Sequence, residues 1–144
     1  MTAPALAIVP ADAAHIDAIV AIERDAGSAS VVALTHGHAV REAIARGHDV
    51  IVALDGNAAA GWAWYAVEDG RDGEPVGQLY RVAVAASSRR AGVAAALVAH
   101  AGDALRARGC RRLRATVGAA DGDALPFFRA AGFADDAIIV EATL

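Results

Sequence analysis

The chain has 144 residues, which is enough for one independently folding domain, and we expect a single domain over residues 1–144. Its apolar fraction is 56%, but alanine supplies much of it. No run approaches the roughly 20 apolar residues that a membrane-spanning helix needs, so we expect no membrane association. The formal net charge is −4 without a basic stripe, which argues against nucleic-acid binding.

The N-terminal half predicts one strand and two helices. Residues 5–9 are apolar and end at a proline, which indicates a strand. Asp12 can cap a first helix, whose apolar positions recur at helical spacing: Ile16, Ile19, Val20 and Ile22. We expect residues 27–40 to form a loop or a broken helix, followed by a short helix over Val40–Arg46.

Two hairpins follow. Strands over Val50–Leu54 and Ala59–Val67 flank Asp55-Gly56-Asn57, which is a strong turn signal. The polar segment Glu68–Pro75 contains glycine and proline and predicts an exposed loop. It leads into a strand over Leu79–Val84.

The C-terminal part alternates helices and strands. A long helix ends at Gly109, and alternating residues predict a strand over Leu113–Val117. Asp121 or Asp123 can cap a last helix, and Ala137–Thr143 reads as a final strand. The order β-α-α-β-β-β-α-β-α-β predicts an α+β fold with a mixed sheet and helices on both faces.

Cysteine content and the N-terminal residues favour a cytoplasmic location. The single cysteine, Cys110, cannot form an internal disulfide and supplies too few ligands for a zinc site, so we expect no metal. Asp12 and Asp17 interrupt the N-terminal apolar residues, and we therefore expect no signal peptide.

Charge is distributed unevenly along the chain. Residues 1–76 hold 11 acidic residues and 4 arginines, whereas residues 77–144 hold 6 acidic residues and 9 arginines. A negative first half and a positive second half would suit an anionic cofactor and a cationic second substrate. Scattered surface charges would give the same totals.

The junction between the Leu79–Val84 strand and the long helix carries the strongest functional signal. Its residues are Arg89, Arg90, Ala91, Gly92, Val93 and Ala94. The first N–H groups of a helix lack intrahelical partners and attract anions, and adjacent arginines add donors suited to phosphate. We interpret the junction as a cradle for a pyrophosphate. The alternative is an ordinary helix N-terminus with two solvated arginines.

Two segments, residues 89–94 and residues 121–133, together carry a family resemblance. The first matches the loop pattern Gln/Arg-x-x-Gly-x-Gly/Ala and follows a strand, as that loop does in its family. The second, DGDALPFFRAAGF, is similar to a signature with an Asn-x-x-Ala-type start, an aromatic helix and Gly-Phe. The chain thus resembles the GNAT family of acetyl-CoA-dependent N-acetyltransferases over essentially its whole length. The resemblance implies a GNAT-like acyl-CoA N-acyltransferase fold, with a single, mostly antiparallel sheet.

The resemblance implies that acetyl-CoA is the cosubstrate. Backbone groups of Val82, Ala83 and Val84 would pair with the pantetheine arm as an added strand does. The N–H groups from Arg89 or Arg90 onward would hold the pyrophosphate, and a main-chain N–H near Val84 would stabilise the oxyanion. The full cofactor-binding set is Val82, Ala83, Val84, Arg89, Arg90, Ala91, Gly92, Val93, Ala94, Asp121 and Phe128.

Three positions depart from the family pattern. Phe128 stands where many relatives have a tyrosine that protonates the leaving thiolate, and Asp121 stands where an asparagine is common. Gln78 occupies a position that in some relatives is a glutamate acting through water as general base. Phe128 and Gln78 therefore cannot perform those proton transfers.

Candidates for the missing groups lie outside the motifs. Glu23 could face the acceptor cleft as a base or be a solvated helix residue. His36 and His38 lie in the segment predicted to border that cleft, although loop histidines are usually surface groups. Tyr80 could bond an acceptor or pack in the core. Arg81, which would alternate to the opposite face, could anchor an acceptor carboxylate or form an ion pair at the sheet margin.

The function implied by the resemblance is direct transfer of an acetyl group to a primary amine in a ternary complex. We expect a small-molecule acceptor, with a protein amine as the other option, and a monomer or homodimer. Trp62 and Trp64 share a strand face and could wall the acceptor pocket or belong to the core. The alternative function, suggested by Phe128 and Gln78, is a catalytically degenerate acyl-CoA sensor.

Overall fold

The computed structural model describes residues 6–25, 30–89, 91–117, 124–137 and 140–144, with the backbone alone for residues 30–37. This part of the chain contains five strands and four α-helices. The strands are β1 (Leu6–Pro10), β2 (Asp49–Asp55), β3 (Ala58–Asp69), β4 (Pro75–Val84) and β5 (Leu113–Ala115). The helices are α1 (Ile16–Asp25), α2 (Ser30–Ala45), α3 (Val93–Ala107) and α4 (Ala124–Ala130).

The strands form one sheet in the order β1-β2-β3-β4-β5. Neighbours are antiparallel except for β4 and β5, which are parallel because α3 connects them as a crossover. One face of the sheet packs against α3 and α4 through residues such as Leu97 and Phe128. The other face packs against α1 and α2 through Ile19, Val40 and Trp62. The predicted α+β class, with a mostly antiparallel sheet and helices on both faces, is confirmed.

A β-bulge interrupts β4 at Tyr80. Leu79 lies opposite Tyr65 and Arg81 lies opposite Trp64, so Tyr80 is an extra residue in β4. The predicted alternation, with Arg81 on the opposite face from Tyr80, is therefore wrong. Both side chains contact residues on the face that carries Trp64.

Of the segment predicted as a loop or broken helix, residues 30–40 belong to a continuous helix. α2 has 16 residues and passes through Gly37. A glycine inside a helix costs only about 1 kcal/mol, which tertiary packing readily offsets. Val40 and Ala43, which are buried in the core beside α1, supply that packing.

The predicted final strand over Ala137–Thr143 is wrong for the residues described there, because residues 137 and 140–144 form no strand. Val140 is 86% exposed. An apolar run becomes a strand only where a neighbouring strand supplies hydrogen-bond partners, and that cannot be read from periodicity. The β3–β4 loop is also shorter than predicted and spans residues 70–74. No helix in the described part of the chain has the length and hydropathy to cross a bilayer.

Candidate functional site

A cleft opens where β4 and β5 separate. Their pairing ends at Leu79, opposite Ala115, and among the described residues the edge of β4 that faces away from β3 has no strand partner from Tyr80 to Val84. The cleft has a volume of about 400 Å³, and α4 forms part of its wall. Of the residues predicted from sequence for the site, it is lined by Tyr80, Arg81, Val82, Ala83, Val84, Arg89, Ala94 and Phe128. An open strand edge can accept an extended ligand that carries amide groups.

The N-terminus of α3 adjoins this cleft and carries no side-chain cap. Gly92 is the N-cap residue with φ 77° and ψ 13°, a left-handed conformation that favours glycine. Ala96 donates to the Gly92 carbonyl at 3.0 Å, which leaves the N–H groups before Ala96 without partners within the helix. Val93 is buried in the core, so it can contribute only its backbone. The terminus is therefore an exposed group of anion-attracting donors.

Arg89 connects the junction to α1. Its Nη2 donates to the carbonyl oxygen of Asp25, the last residue of α1, at 3.0 Å. A cation at this end complements the helix dipole. Arg90 and Asp121 lie outside the described residues, and their roles stay predictions.

Glu23 is completely buried and forms a bidentate ion pair with Arg81. The Arg81 Nε and Nη2 atoms donate to the two carboxylate oxygens at 2.9 and 2.8 Å. The indole N–H of Trp62 donates to the same carboxylate at 2.9 Å. The alternative in which Glu23 is a solvated helix residue is therefore wrong. Because no part of Glu23 is accessible, we do not assign it as the general base.

Tyr80 belongs to a cluster of three rings. Its ring centroid lies 5.0 Å from that of Trp64 and 5.7 Å from that of His48, to which it is nearly parallel. The Trp64 indole N–H donates to His48 Nδ1 at 3.1 Å. Tyr80 remains 39% exposed, whereas Trp62 is fully buried. Trp62 thus belongs to the core, and Trp64 helps to support Tyr80 at the cleft.

Phe128 forms an apolar wall of the cleft. It is 8% exposed and packs edge-on against Phe127 and Phe133, with ring centroids 5.1 and 5.0 Å apart. These contacts form an aromatic cluster at α4. Because Phe128 is a phenylalanine, its side chain presents no hydroxyl group to the cleft.

The two predicted loop histidines lie in α2, so the prediction of a loop there is wrong. His38 is exposed, and its Nε2 lies 3.7 Å from Glu42 on the next turn. For His36 only the backbone is described. Within the described ranges, no three His, Cys, Asp or Glu side chains are grouped closely enough to hold a metal ion.

The comparison with protein families gives a match to the Acetyltransferase (GNAT) family model over residues 17–133. The chain belongs to the GNAT family. A search of curated protein sequences found no significant match.

Solved structures show the same fold as this GNAT chain. Aminoglycoside N-acetyltransferase AAC(6')-Iy, in complex with CoA, has a TM-score of 0.78 at 19% identity, over 97% of this chain and 95% of that one. The 6'-N-acetyltransferase AAC(6')-IG from Acinetobacter haemolyticus has a TM-score of 0.81 at 18% identity, over 96% and 97%. A transcriptional regulator from Bacillus halodurans has a TM-score of 0.79 at 19% identity, over 97% and 100%. At these identities the likeness shows the fold alone.

The residues of the cleft fit a coenzyme A. The open edge of β4 offers backbone partners for the amides of a pantetheine arm, and the uncapped terminus of α3 offers donors for a pyrophosphate. The two features share one cleft. Among the described members of the predicted set, three do not line the cleft: Ala91 and Gly92, which are exposed in the turn, and Val93, which lies in the core.

Sequence reasoning missed two features of the site. No local pattern marks His48, and none connects Glu23 to Arg81. The members of each group come from different elements of the fold, and their contacts follow no local periodicity. The one sequence feature that could have indicated a pairing of Glu23 with Arg81 is their opposite charge.

Proposed function

We propose that this GNAT protein transfers the acetyl group of acetyl-CoA directly to a primary amine of a small molecule in a ternary complex. The observation that supports the proposal is the cleft in which the open edge of β4 meets the uncapped N-terminus of α3. These two features suit the two chemically different parts of one coenzyme. The GNAT family match over residues 17–133 adds independent support.

The reaction needs no covalent intermediate on the protein. The amine nitrogen attacks the thioester carbonyl carbon, a C–N bond forms, and the C–S bond breaks. The nitrogen loses a proton to water, and the departing thiolate gains one to give CoA. A main-chain N–H near Val84 is the proposed donor to the developing oxyanion.

Magnitudes indicate which proton transfer matters more. An alkyl ammonium with a pKa of about 10.4 costs roughly 4–5 kcal/mol to deprotonate at neutral pH. A thiol with a pKa of about 8.5 is a fair leaving group without a nearby acid. Because Phe128 has no hydroxyl, we expect water to protonate the thiolate. Positioning of the two substrates supplies the rest of the rate enhancement.

A second candidate function is an acyl-CoA sensor without turnover. Two observations favour it: Phe128 puts a phenyl ring in the wall of the cleft, and the Glu23 carboxylate is bound to Arg81. Both reduce the number of groups available for proton transfer.

A thermal-shift experiment tests coenzyme binding. Acetyl-CoA or CoA at a hundredfold excess over Kd should stabilise the protein by about 2.7 kcal/mol, whereas ATP should shift it much less. Gly92→Trp should abolish the shift, because the indole would cover the helix terminus. Gly73→Trp is the matched control, since both glycines have φ near 80° and open space around a Cβ. An equal shift in both variants would contradict the proposed coenzyme site.

Release of free thiol over a panel of amines separates the two candidate functions. A transferase should release CoA in proportion to the acetylated amine. Tight binding of acetyl-CoA with no turnover on any amine would favour the sensor.

A further inference from the structure

The geometry points to an acceptor subsite for an amine that carries a carboxylate and a planar side group, as an aromatic amino acid does. Arg81 would bind the carboxylate, and Tyr80 would stack against the planar group. This inference rests on the proposed function and names the class of its acceptor.

The β-bulge brings the two residues together at the end of the cleft where β4 separates from β5. Tyr80 is the extra residue in β4, and it immediately follows Leu79, where pairing with β5 ends. Tyr80 and Arg81 both line the cleft. Trp64, whose ring packs against Tyr80, lies directly opposite Arg81 across the strand pair.

Within the part of the chain that the structure describes, the Arg81 guanidinium uses only one of its two forked edges in hydrogen bonding. A guanidinium has five N–H donors in a rigid plane, and Glu23 takes the edge formed by Nε and Nη2. The edge formed by Nη1 and the second N–H of Nη2 can hold another carboxylate through two parallel bonds. The Arg81 side chain is 32% exposed while that of Glu23 is 0% exposed. The pair is thus buried at its acidic end and accessible at its basic end.

Glu23 acts here as a positioning residue. It holds the guanidinium in one orientation before any ligand arrives, so little side-chain entropy remains to be lost on binding. Trp62 in turn fixes the Glu23 carboxylate with its indole N–H. A rigid arginine of this kind can discriminate a carboxylate from a hydroxyl or a methyl group, because the alternative ligands leave the fixed donors unpaired.

The three-ring cluster supplies the second half of the subsite. Trp64 and His48 pack against Tyr80 and hold its ring, and the bond from the Trp64 indole to His48 Nδ1 orients both supporting rings. Tyr80 is 39% exposed and directly precedes Arg81 in β4, so part of its side chain remains accessible to a planar group. Stacked aromatic pairs contribute beyond simple area burial.

The test compares amino acids with their decarboxylated counterparts. Acetyl transfer to phenylalanine and tryptophan would be measured against phenethylamine and tryptamine, with alanine and spermidine as acceptors that lack the ring or the carboxylate. We expect kcat/KM to favour each aromatic acid over its amine by about tenfold to a hundredfold, the value of charged hydrogen bonds. We expect phenylalanine to be preferred over alanine.

Two variants isolate Arg81. Arg81→Lys keeps a charge beside buried Glu23 but lacks the second edge, so the preference for acids should fall about tenfold. If Arg81→Lys does not fold, the double variant Glu23→Gln/Arg81→Gln takes its place, because it leaves no unpaired buried charge. It should lose the preference for acids over amines. Arg106→Lys, an exposed arginine on α3, is the matched control and should keep it. A purely structural role would lower activity on acids and amines equally, and that result would overturn the inference.

Tyr80 is tested by the preference for phenylalanine over alanine. Tyr80→Phe should retain this preference, and Tyr80→Ala should lose it. If both variants keep the preference for phenylalanine over alanine, Tyr80 does not stack against the acceptor.

The outcomes separate this inference from the proposed function. Efficient acetylation of spermidine or phenethylamine, with no preference for acids, would overturn the subsite and leave the transferase intact. If no amine is acetylated, the proposed function fails. In that case calorimetry with N-acetylphenylalanine in the presence of CoA still decides the subsite. Binding that is lost in the double variant supports it, and no binding by the wild type overturns it.

Discussion

Glu23 shows how one buried charge can organise several elements. The carboxylate lies on α1, and its partners Trp62 and Arg81 lie on β3 and β4. Burying a carboxylate is costly unless it is paired and hydrogen-bonded, and here both oxygens accept from Arg81. The ion pair therefore connects α1 to the strand that borders the cleft.

Removing this carboxylate should destabilise the protein strongly. Glu23→Ala leaves the Arg81 guanidinium without its partner and the Trp62 N–H unsatisfied, so we expect a loss of about 3–5 kcal/mol in the free energy of unfolding. Urea denaturation measures this value. Asp103→Ala, which breaks an exposed ion pair with Arg106, should cost no more than about 0.5 kcal/mol. If both substitutions lower the free energy of unfolding equally, the Glu23–Arg81 pair contributes no more to stability than an exposed ion pair.

Tyr65 is a second residue whose chemistry depends on its surroundings. Burial, and then the charge of Asp49, raise the pKa of Tyr65 above its ordinary value of 10.0, while Arg108 opposes the shift. Arg108 itself forms a bidentate pair with Asp49, and the hydrogen bonds raise the Arg108 pKa. The folded state thus favours the neutral phenol of Tyr65.

Tyr65 should therefore ionise late and weaken the fold as it does so. Its pKa is higher in the folded than in the unfolded state, so its contribution to stability is complete below pH 10.0 and is lost as pH rises above that value. Tyr80→Phe leaves Tyr65 as the single tyrosine, because the chain has two. Tyrosinate absorbance in this variant should rise with a midpoint above 10.0. A midpoint at or below 10.0 would contradict the prediction.

Among the elements, α3 combines binding and packing. Its N-terminus faces the cleft, and its buried residues contact the sheet closely enough to exclude a side chain at Gly61. A Cβ at Gly61 would lie 2.8 Å from Val93 Cγ1 and 2.9 Å from the Ala83 carbonyl oxygen. Gly102, inside the same helix, would have no atom within 4 Å of its Cβ.

These two glycines should respond oppositely to alanine. Gly102→Ala should raise the free energy of unfolding by about 0.5–1 kcal/mol, because alanine restricts the unfolded chain and favours the helix. Gly61→Ala should lower it by about 1–3 kcal/mol through overpacking. Thermal or urea unfolding of both variants checks the contrast. Stabilisation by Gly61→Ala would mean that α3 can move away from β3 at little cost.

At the scale of the whole molecule, the candidate coenzyme cleft is built mainly from the half of the sequence that carries a positive net charge. Residues 77–144 carry 9 arginines against 6 acidic residues, and this half contains β4 from Gly77 onward, the junction and α3. A polyphosphate ligand at the terminus of α3 would lie in a net positive environment. The excess charge is mostly on the surface, where salt screens it.

Acetyl-CoA affinity should consequently fall as ionic strength rises. We expect a loss of several-fold between about 0.05 and 0.5 M salt, since the Debye length shortens from more than 10 Å to less than 5 Å over that range. Calorimetry measures the affinity. Acetyl-pantetheine lacks the phosphates and serves as the control. Its affinity should change little with ionic strength. If acetyl-CoA affinity is unaffected by salt, the phosphates do not bind at this positive surface.

Much of the fold followed from local patterns in the chain. Apolar periodicity and the Asp55-Gly56-Asn57 turn located most of the helices and strands correctly. Asp12 caps a short 3-10 helix, Ala13–His15, that leads into α1. The strand-to-helix junction at Gly92 was also recognisable, because its signals lie within a few residues of one another.

Long-range contacts decided the rest. Glu23 and Arg81 are 58 positions apart, and Trp64 and His48 are 16 apart, so no local pattern joins them. The bulge at Tyr80 depends on the register of β3 against β4, and α2 continues through Gly37 because the core beneath it is packed. Local conformational preferences of about 1 kcal/mol per residue determined where helices and strands form. The arrangement of side chains at the cleft depends on burial and on which hydrogen-bond partners are near, and both are properties of the assembled fold.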